Sequence, residues 1–86
     1  MTDEEVKEDY VIAVNGTPHT LENERVGFDR IVNFAYPGQV DDEQYIFKVE
    51  YENAKSQPHD GKLVKGEHVE VRHSGTEFSV LRSVRS

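Results

Sequence analysis

The most regular stretch of the chain is an alternation. Tyr45, Phe47, Val49 and Tyr51 take every second position, and Gln44, Ile46, Lys48 and Glu50 fill the gaps. Successive side chains of a strand point to opposite faces, so this pattern predicts a half-buried strand over residues 43–52. Ile46 is the odd residue on the polar face. A second strand signal is Tyr10–Val14, β-branched and aromatic, followed at once by Asn15-Gly16. Asn-Gly tolerates the positive φ that a two-residue hairpin turn needs, which predicts pairing with Thr17–Leu21. Pro18 has no N–H for a ladder, so that partner strand belongs at a sheet edge. Tyr10, Ile12 and Val14 share one face by the period of two.

Between these strands the period changes. Phe28, Ile31, Val32 and Ala35 follow the i, i+3, i+4, i+7 spacing of one helical face. The helix predicted runs over about residues 26–36 and stops at Pro37-Gly38, because proline disfavours a helical residue before it. About three turns are too short to stand alone, so this helix must pack on the sheet. Asp41-Asp42-Glu43 reads as a polar loop, as does the polar run 53–60. Residues 61–66 read as a turn that pins Leu63 into the core. Val69 and Val71, then Phe78 and Val80, mark two short strands about Ser74-Gly75, read as a second hairpin. The element order is β-β-α-β-β-β. The fold class is α+β: a mixed sheet of about five strands with one helix packed on one face.

Composition narrows this picture. Eighty-six residues allow one domain. Apolar residues are 35% and charged residues 31%, which argues for a thin core under a charged surface. Without cysteine there is no disulfide, thiolate metal site or thiol nucleophile. The net charge of −7 argues against a nucleic-acid partner. No apolar run approaches a membrane span, and the first ten residues lack a signal peptide's apolar region, so the expected location is cytoplasmic. Five acids within the first nine residues, with Lys7 the only base there, predict a flexible acidic tail over residues 1–9. The domain proper is assigned to residues 10–82 and a flexible C-terminal tail to residues 83–86.

Catalytic chemistry is not apparent. There is no glycine-rich phosphate loop and no nucleophile elbow. His73-Ser74 lacks a third group to orient a base. His19, His59, His68 and His73 read as solvent-facing or loop residues; His68 and His73 fall on opposite faces of one strand and cannot converge on a metal. The five lysines (Lys7, Lys48, Lys55, Lys62 and Lys65) are possible modification acceptors and equally ordinary surface charge. The expectation is therefore no enzyme, no catalytic residue, no metal and no cofactor.

Three stretches in register carry a family resemblance over about residues 10–82. They are Val14-Asn15-Gly16 with His19, Ala35-Tyr36-Pro37-Gly38, and the series Gly61, Leu63, Gly66, Val69, Val71, Gly75, Phe78 and Val80. Together they resemble the ubiquitin-like β-grasp proteins, and among them the bacterial multiubiquitin domains. Tyr45-Ile46-Phe47 is similar to the strand of ubiquitin that carries its exposed isoleucine. Phe78-Ser79-Val80-Leu81-Arg82 is similar to ubiquitin's last strand and arginine-bearing tail. The resemblance implies a protein modifier activated at its C-terminal carboxylate by an activating enzyme and transferred through a conjugating enzyme to target proteins, with a processing peptidase in the same system. It implies a conjugation and processing tail of Arg82, Ser83, Val84, Arg85 and Ser86, whose arginines would pair with acidic groups of a partner. Ile46 and Leu81 would form an exposed partner-binding patch if their strands are neighbours. The tail lacks ubiquitin's Gly-Gly, which argues against a sulfur carrier. The alternative is a non-covalent β-grasp binding module or a self-associating one.

Overall fold

The computed structural model describes residues 9–85. Its elements are β1 (Tyr10–Val14), β2 (Thr17–Leu21), β3 (Arg25–Gly27), α1 (Phe28–Ala35), β4 (Tyr45–Glu52), β5 (Gly61–Leu63), β6 (His68–Glu70) and β7 (Thr76–Val84). Five strands form one sheet in the order β2-β1-β7-β4-β5, and β3 pairs with β6 as a separate two-stranded ribbon. The β1–β7 pair is parallel; β1–β2, β4–β7 and β4–β5 are antiparallel, so the sheet is mixed. The helix lies against β1, β4 and β7 on one face. The α+β architecture expected from the sequence is the one observed.

The first hairpin forms as its turn chemistry requires. Asn15 and Gly16 have φ of 51° and 83°, the left-handed geometry of a tight two-residue turn. Tyr10 then faces Leu21, and Val14 faces Thr17. Pro18 sits on β2, at one edge of the sheet, where its missing N–H costs no ladder bond. Ile12 and Val14 are buried beside Phe78 and Val80 of β7 and Val49 and Tyr51 of β4, all on the face that α1 covers with Phe28, Ile31 and Val32. Leu21, Val26, Ala54, Leu63, Val69 and Val71 complete this core.

Four expectations are corrected. The helix begins at Phe28 because Val26 belongs to β3, facing Val69 of β6. A single buried residue fits a helix face or a strand face equally well, so periodicity could not separate them. Gly27 marks the change: a Cβ there would lie 3.1 Å from the His68 ring. Residues 61–63 are a strand paired with Val49–Tyr51, not a turn, although Leu63 is buried as expected. The two strands about Ser74-Gly75 do not form a hairpin: β6 joins β3, while β7 passes between β1 and β4. The connection is held apart from β6 by its own bonds, with Val71 N–H donating to the Glu24 carbonyl and Val11 N–H to the His73 carbonyl. Finally, β7 continues through Val84 instead of ending near Leu81, since the start of β4 supplies ladder partners for three more residues.

One buried polar group organises the turn into β7. The Thr76 hydroxyl donates to the Asn53 carbonyl at 2.8 Å and accepts the Arg72 N–H at 3.0 Å. Asn53 in turn binds Asp60, Gly75 and Arg72. Thr76 can thus be completely buried without an unpaired hydroxyl.

Candidate functional site: the C-terminal strand and its surroundings

Strand β7 has two unlike halves. From Thr76 to Val80 it alternates buried and exposed residues and has β1 on one side and β4 on the other. The β1 ladder ends at Val14–Phe78. One more contact extends it: the Asn15 side-chain amide accepts the Val80 N–H at 2.8 Å and donates to the Val80 carbonyl at 3.1 Å. Asn15 thereby acts as a ladder residue in place of backbone. Beyond Val80 only β4 remains, with Leu81 facing Lys48, Arg82 facing Phe47, Ser83 facing Ile46 and Val84 facing Tyr45.

The second half is held by side chains. By the alternation of β7, Arg82 points to the same face as Val80, the face under the helix. Its guanidinium lies between two rings, 4.4 Å from the Tyr45 centroid and 4.8 Å from that of Tyr36. Its Nη1 donates to the Gln39 side-chain oxygen at 2.6 Å. Phe47 supports both tyrosines, at centroid separations of 5.8 Å from Tyr36 and 6.2 Å from Tyr45. Arg85 is held too: its N–H donates to the Gln44 carbonyl at 2.7 Å, and its Nε to the Glu43 carbonyl at 3.0 Å. Arg82 and residues 83–85, the latter expected to belong to a flexible tail, are therefore docked beside β4. A planar cation over two rings and a charge-assisted hydrogen bond are the causes. Ser86 lies outside the described residues, as does the acidic segment 1–8.

Ile46 and Leu81 are brought together. Their strands are neighbours, and the register makes them diagonal neighbours on the outer face of the sheet. They are 47% and 65% exposed, which is high for large apolar side chains. The same face is acidic at its other end, where Glu52 faces Glu77 across the ladder and Glu50 lies beside them, facing Lys62. The outward face thus runs from an apolar end with Lys48 to an acidic end, a division that whole-chain charge does not reveal.

The histidines are more engaged than expected. His19 is half-buried and stacks on Phe34 at 4.3 Å, and His73 stacks on Tyr10 at 4.6 Å. His59 Nδ1 lies 2.8 Å from the Ala54 carbonyl. Among the described residues no three His, Asp or Glu side chains gather to hold a metal ion. Of the lysines, Lys55 pairs with Glu24, and Lys65 reaches both Asp29 and Asp41. Each is pushed above the usual lysine range, chiefly by the hydrogen bond to Glu24 and to Asp29 respectively. Lys48 and Lys62 stand on the outer sheet face, and Lys7 is outside the described residues. No helix among the described residues is long and apolar enough to cross a membrane.

Sequence reasoning missed Tyr36, Gln39, Tyr45 and Asn15 as parts of this site. A signal existed for the two tyrosines. Arg82 shares the parity of Phe78 and Val80, and a cation at a core-facing position needs a partner. Two tyrosines near the ends of the helix and of the 38–44 loop are suitable partners.

A mixed five-stranded sheet with the first and last strands parallel at its centre and one helix across it is the β-grasp arrangement of ubiquitin-like proteins. The match to a family is direct as well. The multiubiquitin family model matches residues 10–83, and the chain belongs to that family. No curated protein matches the chain, and no solved structure does.

Proposed function

We propose that this protein is a ubiquitin-like modifier. Its C-terminal carboxylate is adenylated by a cognate activating enzyme and passed through a conjugating enzyme to target proteins, after trimming by a peptidase of the same system. The observation that carries this reading is membership of the multiubiquitin family over residues 10–83, a span that reaches into the arm after Leu81. The protein supplies no catalytic group of its own; it offers a carboxylate to another protein's nucleophile. It works in the cytoplasm, without cofactor, membrane or nucleic acid. Mixing the protein with its activating enzyme and ATP yields an adenylate or a covalent adduct. Deletion of residues 82–86 abolishes that product. An undiminished adduct after the deletion overturns the reading.

A second reading is favoured by one observation, the adjacency of Ile46 and Leu81 on the outer face. Here the domain binds partners, or itself, through this apolar spot without covalent transfer. Desolvating two such side chains favours association, and a charge placed there opposes it. Light scattering across concentration then shows self-association that Ile46→Asp or Leu81→Asp weakens by tenfold or more, on the order of 1.4 kcal/mol. A monomer at every concentration, with no change in either variant, removes self-association through this spot.

A further inference from the structure

We infer that the Arg82 clamp is a latch that holds the C-terminal arm on the domain and sets how often it is released for activation; the inference rests on the modifier reading above. Burial along β7 ends at Val80, and residues 81–85 are all exposed. Leu81 and Val84 are already 65% and 71% exposed, so peeling the arm away uncovers little further apolar surface of the arm itself. The β1 neighbour is also gone by this point, its last contact being the Asn15 amide on Val80. Leu81 is therefore a natural hinge: the arm can leave while the core stays closed. Local openings of this kind are drawn from segments with few buried contacts.

What resists opening is short. It comprises the ladder to Tyr45, Ile46 and Phe47, the Arg85 bonds to Glu43 and Gln44, and the clamp on Arg82. The clamp is the specific part. Two ring faces at 4.4 and 4.8 Å and the Gln39 oxygen at 2.6 Å hold one planar cation. A lysine would keep the charge but lose the stacked plane and the fork of donors. Tyr36 and Gln39 follow the helix and Tyr45 opens β4, so none of the three belongs to the arm. They hold it from outside, and a narrow enzyme cleft that must take the arm competes with them for it. Tyr36, Gln39 and Tyr45 are thus positioning residues for release of the arm.

Amide hydrogen exchange on the intact protein tests the latch without any partner. Gln39→Ala and Arg82→Lys are surface changes that leave the core intact, and Tyr36→Leu is a third variant. Each raises exchange at Ser83 and Arg85 about tenfold while leaving the Val80 amide, held by Asn15, unchanged. Unchanged exchange at Ser83 and Arg85 overturns the latch whatever the activating enzyme does. So does an equal rise at Val80, which would make the clamp part of the global fold. The second measurement is the single-turnover rate of adduct formation with the activating enzyme and ATP. It rises severalfold in the same variants; an unchanged or slower rate despite faster exchange overturns the gating role. Absence of any adduct with the parent protein, alongside the exchange result, fails the modifier reading and leaves the docking of the arm standing.

Discussion

Replacement of Phe78 by alanine is expected to lower the unfolding free energy by about 3–5 kcal/mol, the usual cost of removing a buried phenylalanine. Phe78 is 2% exposed and sits on β7 between Val14 of β1 and Tyr51 of β4, with its ring 6.3 Å from that of Tyr51. Both neighbours are strands, so the backbone has little freedom to collapse into the space left behind. A domain of this size has a total stability of only about 4–12 kcal/mol, so the loss is a large fraction of it. Thermal or urea unfolding measures it directly. The midpoint temperature should fall by roughly 15 °C or more, at about 4–8 °C per kcal/mol. A drop of only a few degrees would contradict the central placement of Phe78.

The second large effect is expected at Asn15, a residue on the tip of a surface hairpin. Its amide makes both hydrogen bonds to Val80, and its φ of 51° lies in the left-handed region. Alanine loses both bonds, leaves the partly buried Val80 N–H and C=O unpaired, and suits the backbone poorly. Each unpaired group costs about 1–3 kcal/mol and the conformation about another 1 kcal/mol, so Asn15→Ala should cost about 3 kcal/mol or more in denaturant unfolding. Asn15→Asp separates the two bonds. Aspartate still accepts the Val80 N–H and tolerates the backbone, but its second oxygen meets the Val80 carbonyl where a donor stood. That contact disfavours the ionised form, so the folded-state pKa of the new carboxyl lies above its unfolded value. The deficit of Asn15→Asp relative to the parent is therefore largest above the folded pKa, and it shrinks as pH falls through it. At that point the protonated acid can donate as the amide did. A deficit that grows toward acid pH would refute the assigned orientation of the amide.

Much of the fold was legible because burial leaves a periodic trace. The alternation through Tyr45, Phe47, Val49 and Tyr51 identified β4 and the face that meets the helix. Asn15-Gly16 identified the first turn, and the spacing of Phe28, Ile31 and Val32 the buried side of α1. Pairing left no such trace. A period of two says that Val69 and Phe78 face inward, but not that their strands have different partners. Those partners lie far along the chain, and their register is a property of the packed whole. The candidate site divides the same way. That Ile46 and Leu81 face outward followed from parity alone; that they are diagonal neighbours needed the β4–β7 register. The arm was hidden by a boundary. Reading the chain as tail from Arg82 onward set aside the parity that points its guanidinium toward Tyr36 and Tyr45.

The parallel pairing of β1 with β7 also governs when this domain can form. Ile12 faces Thr76, so the centre of the sheet joins segments more than sixty positions apart in the sequence. Contacts of that separation demand that a long loop be closed before they return any stability, which slows folding. On a ribosome the constraint is stricter. The hairpin of β1 and β2 and the helix emerge early, yet Ile12, Val14 and Ile31 have no completed core until Phe78 and Val80 have cleared the exit tunnel. Within the domain the arm is made after every other strand, and the surface it docks on is made before it. Its seating against Tyr36 and Tyr45 therefore reports that the rest of the domain has already closed.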